Sequence, residues 1–119
     1  MKRKLHKNFW RSEWACKCGC GFNAVDPELL AVDIDIREHF GERVTINSGC
    51  RCEKHNEAEG GADDSYHKKA QANDIEVENI RPRQVYEYLC KKYPNTYGIA
   101  LYNTFVHVDI RLRRWRKIY

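Results

Sequence analysis

Asp26-Pro27-Glu28-Leu29-Leu30-Ala31-Val32-Asp33-Ile34-Asp35-Ile36-Arg37-Glu38-His39-Phe40-Gly41 carries its own start and stop signals. Asp26 suits the N-cap because its carboxylate accepts a first-turn N–H, and Pro27 suits the first helical position, where no N–H is needed. Leu29, Leu30, Ala31, Val32, Ile34, Ile36 and Phe40 give the helix a wide apolar face, and Gly41 closes it. Arg43-Val44-Thr45-Ile46-Asn47 then reads as a strand, stopped by Ser48-Gly49. A capped helix running straight into a β-branched strand sets a mixed fold.

The flanking sequence extends this pattern in both directions. Upstream, Ser12, Glu13 and Trp14 start a short helical turn. Downstream, residues 50–73 are polar, contain Gly60-Gly61, and read as a long loop with one helical turn. Loops of that length inside a compact domain are usually functional. Asp74-Ile75-Glu76-Val77-Glu78 alternates as a strand does. Pro82 opens a second helix, carried by Val85, Tyr86, Leu89 and Tyr93 and ended at Pro94. Tyr97 to Tyr102 and Phe105 to Ile110 read as two strands, the second being the last, joined by a hairpin turn at Asn103-Thr104. The expected fold class is α+β, with helices packed on a mostly antiparallel sheet. At 119 residues, without a repeat or linker, residues 1–119 are expected to form a single domain.

Composition narrows the function classes. No apolar run approaches the ~18 residues of a membrane span. Met1 to Lys7 is basic but leads into no apolar stretch, so the chain as written shows no secretory signal, and synthesis in the cytoplasm is expected. The formal net charge of +4 is concentrated at the ends, in Lys2, Arg3, Lys4 and Lys7 and in Arg111, Arg113, Arg114, Arg116 and Lys117. Solvated tails are the plainer reading. Attraction to a polyanion, nucleic acid or an anionic cell wall, is the sharper one.

His67, Asp74 and His107 stand out chemically. Two imidazoles and a carboxylate are common Zn²⁺ ligands, and three protein ligands leave a fourth position open for water. On a strand, residues two apart face the same way, so His107 and Asp109 project together, away from Val106 and Val108. Asp109 then serves as a general base or as a partner orienting an imidazole. Spacing alone is weak ground for a metal site, because a strand histidine is more often structural.

Three motifs in order strengthen it. Ser65-Tyr66-His67-Lys68-Lys69-Ala70-Gln71-Ala72-Asn73-Asp74 resembles the S-x-H-x-x-G-x-A-x-D motif of the M15 zinc D-alanyl-D-alanine peptidases, whose fold is shared with the hedgehog signalling domain. Phe105-Val106-His107-Val108-Asp109 resembles the family's later segment with the third zinc ligand, and Ile46-Asn47-Ser48-Gly49-Cys50-Arg51-Cys52-Glu53-Lys54-His55-Asn56 resembles its NSGYR-C-x-x-HN segment. The likeness runs from about Asn8 to Trp115 and is strongest to short M15A-type domains of phages and bacteria. It implies that His67, Asp74 and His107 hold Zn²⁺, that Arg51 meets a substrate carboxylate, and that Ser65 hydrogen-bonds the substrate near the metal. The candidate catalytic residues are Asp109, from its place beside His107 on the strand, and Arg51, from the resemblance. The implied partner is a peptidoglycan stem peptide, cut next to a D-amino acid by a D,D-carboxypeptidase or endopeptidase of endolysin-like or wall-remodelling type. Action at the cell wall or periplasm and a phage origin go with that reading. A nucleic-acid-binding module built on the cysteine cluster and basic ends is set aside, so no nucleic-acid partner is expected, and a monomer is expected because the sequence carries no interface signal. A non-catalytic zinc-binding recognition or phage structural module of the same fold is the alternative.

The chain departs from the family pattern at three positions. Ala70 replaces the motif glycine, which means either an ordinary backbone conformation there or a strained ligand loop. Cys50 replaces an aromatic residue before the arginine. Thr104 stands where several relatives place an acidic base, leaving that role to Asp109, to Glu59 or Asp64, or to nothing.

Cys16, Cys18, Cys20, Cys50, Cys52 and Cys90 leave several states open. Without a signal peptide, reduced thiols are the default. A disulfide from the first cluster to Cys50 or Cys52 is a second reading. A structural zinc held by four thiols is the third, weakened because the spacing is not C-x-x-C. Cys90 reads as a small buried hydrophobe, His55 as a surface or capping residue, Trp10 and Trp14 as core or lid, and Trp115 as packing for the C-terminal segment.

Overall fold

The first helix, α1 (Pro27–Phe40), ends where its sequence signals place it. The Asp26 carboxylate accepts the Glu28 N–H at 2.9 Å, and Gly41 at φ 66° donates its N–H to the Arg37 carbonyl. These features come from a computed structural model that describes residues 4–119, so Lys2 and Arg3 of the basic amino end lie outside the described residues. One face of α1 buries Leu29, Val32, Asp33 and Ile36.

A small antiparallel hairpin, β1 (Lys4–His6) and β2 (Phe9–Trp10), precedes a 3-10 turn at Arg11–Trp14. The main sheet contains β3 (Val44–Ser48), β4 (Ala72–Val77), β5 (Gly98–Leu101), β6 (Val106–Asp109) and β7 (Trp115–Ile118). Its order is β3-β4-β6-β5-β7, antiparallel except where β7 runs parallel to β5. Two further helices, α2 (Glu53–Ala58) and α3 (Pro82–Lys92), complete the α+β architecture. The core joins Val32 and Ile36 of α1, Val85 and Leu89 of α3, and Ile75, Ile99, Val106 and Val108 of the sheet.

Several expectations need adjustment. The long loop holds two short helical pieces, α2 and a 3-10 turn at Tyr66–Lys69. The strand carrying His107 is not the last, because β7 follows it. Periodicity in the sequence does not reveal β7, since its partner is recruited from far along the chain: the Trp115 N–H reaches the Tyr97 carbonyl at 3.0 Å, and the Tyr119 N–H reaches that of Leu101 at 2.9 Å. Two of the basic residues assigned to a solvated tail are structural. The Arg116 guanidinium donates to the carbonyls of Tyr93 at 2.6 Å, Tyr97 at 2.7 Å and Thr96 at 3.1 Å, tying the end of α3 to β7. Arg111 is committed to Asp109. Trp14 is fully buried against Phe9, whereas Trp10 is exposed, and Cys90 is only partly buried.

Beneath the sheet, Asp33 of α1 is fully buried and accepts a short hydrogen bond from the Asn73 side chain. Burial pushes its carboxyl up to about 8, so it is largely protonated at neutral pH. This contact braces β4 from below, one residue before Asp74.

Candidate metal centre

Antiparallel pairing of β4 with β6 sets Asp74 directly opposite His107 and Ala72 opposite Asp109. Directly paired residues on one face of a sheet have neighbouring side chains. His67 arrives from the 3-10 turn, which Ser65 caps by accepting the His67 N–H at 3.2 Å. Asp74 Oδ1 lies 3.4 Å from His67 Nε2 and 3.0 Å from His107 Nδ1. The three donor atoms fall within 4.8 Å of one another.

The remaining ring nitrogens are held from behind. His67 Nδ1 is 2.7 Å from the Gly49 carbonyl. A carbonyl only accepts, so this nitrogen carries the proton and Nε2 presents its lone pair to the centre. His107 Nε2 is 2.8 Å from Asp109 Oδ2. A carboxylate behind an imidazole fixes the ring and raises its basicity, as is usual for metal-binding histidines. Tetrahedral zinc uses such a donor set, two imidazole nitrogens and one carboxylate oxygen with a side left open. The residues present therefore fit Zn²⁺.

In the ion-free centre the donors hold one another by charge. Burial alone would raise the Asp74 carboxyl, yet hydrogen bonds and charge from His107 and His67 hold it well below the usual carboxylate range. Burial would lower His107, but Asp109 and Asp74 together lift it to about 9. Asp109 is itself fully buried and held low, despite burial, by His107 and Arg111.

Arg111 is a part of the site that the sequence reading left in the basic tail. Its Nε and Nη2 each approach an Asp109 oxygen at 2.7 Å, a bidentate pair. Its guanidinium lies 4.7 Å from the ring centroids of both Tyr66 and Trp115. Gly98 makes room for this pair, since a Cβ there would overlap the Asp109 carboxylate and come within 2.6 Å of Arg111 Nε. The Asp109-x-Arg111 alternation was the available sequence signal for the pair.

A cleft of about 390 Å³ opens over the three donors. Arg51 and Ser65 line it, as do Asp64, Tyr66 and Trp115. Arg51 Nε donates to Ser48 Oγ at 3.1 Å, and its Nη2 sits 3.4 Å from Asp74 Oδ2. The structure thus gathers His67, Asp74, His107, Asp109, Arg51 and Ser65 at one cleft. Glu59 instead ends α2, where it is exposed and 3.6 Å from His55 Nε2. Ala70 takes the strained alternative, at φ 59° and ψ 29°, the left-handed region that the motif glycine enters freely.

Comparison with known proteins agrees with this geometry. The sequence model of the family described as Peptidase M15 matches residues 7–109. No curated protein and no solved structure matches the chain. The matched stretch runs from the β1–β2 hairpin through the end of β6 and includes every residue of the His–Asp–His group. The chain belongs to the Peptidase M15 family of metallopeptidases.

Proposed function

We propose that this metallopeptidase uses Zn²⁺ to cut peptidoglycan stem peptides next to a D-amino acid. The observation that carries the reading is a three-donor centre whose open side faces a cleft with a guanidinium on its wall. Bound there by His67, Asp74 and His107, zinc supplies Lewis acidity for a scissile carbonyl and makes water nucleophilic near neutral pH. Arg51 receives a substrate carboxylate, since its planar fork matches two oxygens at once. Ser65, at the head of the turn that carries His67, hydrogen-bonds the peptide backbone. Asp109 acts through His107, holding the ring while Arg111 holds Asp109. With both Asp109 oxygens engaged, Asp64 on the cleft wall is the carboxylate that accepts and returns the proton. On this proposal the enzyme is a D,D-carboxypeptidase or endopeptidase working at the cell wall or periplasm, where that substrate lies, and of phage-borne, endolysin-like type.

A second reading has two observations in its favour. Thr104 replaces the usual acid and Asp109 is occupied, as in a zinc-holding recognition module without turnover. Incubating the zinc-loaded chain with a muropeptide ending in D-Ala-D-Ala, with products identified by mass spectrometry, separates the two. Cleavage is expected, and His67→Ala should take it to the assay floor. Stoichiometric zinc with an intact peptide would instead favour the recognition module.

A further inference from the structure

The cleft leaves four cysteines unused, and they meet elsewhere. The sulfurs of Cys16, Cys18, Cys20 and Cys52 all lie within 4.8 Å of one another. Cys16 and Cys18 are 3.4 Å apart, Cys18 and Cys52 3.6 Å, and Cys16 and Cys52 3.8 Å. Zinc–sulfur bonds of about 2.3 Å in a tetrahedron put sulfurs about 3.8 Å apart. A disulfide needs about 2.05 Å and would use only two of the four. We propose that Cys16, Cys18, Cys20 and Cys52 form a closed, structural site for a second zinc ion, separate from the His–Asp–His centre.

The backbone is folded to present those sulfurs. The Cys16 N–H donates to the Phe22 carbonyl at 2.7 Å, closing the loop on itself. The Gly19 N–H donates to the Cys16 carbonyl at 3.2 Å, so the chain turns between ligands. Gly19 at φ 81° and Gly21 at φ 94° take left-handed conformations that side chains disfavour. These turns let a C-x-C-x-C spacing do what C-x-x-C does in ordinary zinc ribbons. From the other side, the Cys52 N–H points at Cys16 Sγ and the His55 N–H at Cys52 Sγ, both at 3.4 Å. Such N–H groups stabilise thiolate sulfur, the form that binds a metal. Four soft sulfur donors in a tetrahedron select zinc or iron, and zinc needs no redox partner.

Cys50 defines the limit of the site. Although two residues from Cys52, its thiol turns away and donates to the carbonyls of Trp14 at 3.1 Å and Phe22 at 3.3 Å. The same short segment that supplies Cys52 also supplies the Gly49 carbonyl behind His67 and the Arg51 guanidinium in the cleft. The second zinc therefore staples the 16–22 loop to the segment that orients the first centre. Binding releases the thiol protons to solvent, and no oxidant or reductant is involved.

The test is metal content by mass spectrometry on the full, untagged chain, together with the absorption spectrum of its cobalt form. Two zinc ions per chain are expected, one lost in His67→Ala and the other in Cys18→Ser, with Cys90→Ser retaining both. Cobalt in the wild type should show intense sulfur-to-metal charge transfer, a band that a His–Asp–His centre lacks. That spectrum needs no variant, so it decides the matter even where Cys18→Ser fails to fold. A single zinc lost in His67→Ala, a cobalt form without the charge-transfer band, or an intact mass lower by two hydrogens would each overturn the site. Iron in place of zinc would overturn the metal assigned. Whether the cleft hydrolyses peptide has no bearing on these outcomes.

Discussion

The cleft and the cysteine knuckle solve metal coordination in different ways. In the cleft, two of the three donors sit opposite each other on paired strands, and each imidazole has a second partner behind it. Its ligands are therefore rigid before any ion arrives, and one side stays open to a lined cavity. In the knuckle, loop backbone turned by Gly19 and Gly21 converges three sulfurs on a fourth, with Cys18 and Cys20 exposed. Three donors with a prepared, open face suit reaction, whereas four donors with no vacant position suit closure. The sheet supplies precision, and the loops depend on an ion for theirs.

Asp109→Asn breaks the cleft's side of this contrast most directly. An amide in place of the carboxylate weakens both the hold on His107 and the pair with Arg111. Zinc affinity at the cleft should fall about 10–100-fold, read by competition with a chelating dye, while the thiol cluster keeps its metal. An unchanged affinity would mean that β6 alone orients His107.

Arg51→Lys sharpens the comparison, because Arg51 lies beside Cys52 in sequence yet serves the cleft. If Arg51 receives the substrate carboxylate as proposed, losing one of its two hydrogen bonds should raise KM about tenfold with kcat little changed. Steady-state kinetics on peptides with free and amidated C-termini measures this, and the amidated peptide should be insensitive. Equal losses on both would place Arg51 elsewhere in the reaction.

The smallest effect concerns Ala70, in the ligand turn. A left-handed alanine costs about 1–2 kcal/mol, and glycine's extra unfolded-state freedom returns part of that. Ala70→Gly should therefore stabilise the chain by up to about 1 kcal/mol, seen as a higher denaturant midpoint at an unchanged slope. A destabilised variant would show that the turn tolerates its strain through contacts of the alanine methyl, Ala70 as a whole being 6% exposed.

How far each part was legible follows from the range of the interactions that make it. The ends of α1 were plain because Asp26, Pro27 and Gly41 act on their nearest neighbours. The three candidate ligands were identified through motif resemblance, and spacing alone was weak. The juxtaposition of Asp74 and His107 depends on β4 pairing with β6, and strand register is not written in either strand separately. The strand at Trp115–Ile118 was hidden by its charge, as WRKI resembles a solvated tail until Arg116 is seen binding the carbonyls at the end of α3. The sulfur cluster was the least legible. Its fourth member lies 34 residues from Cys18, and Cys50 was an equally plausible partner until the structure turned its thiol away.

Trp115 gives the cleft an optical property. Its ring stands edge-on to His107, 6.4 Å between centroids, and carries the Arg111 guanidinium on its face. Indole emission is quenched by a nearby protonated imidazole and responds to local charge. The fully buried Trp14 and the exposed Trp10 provide a background on which this signal rides. Loading of the centre with zinc should therefore change the protein's own fluorescence, on the time scale of a rapid-mixing experiment and without a label.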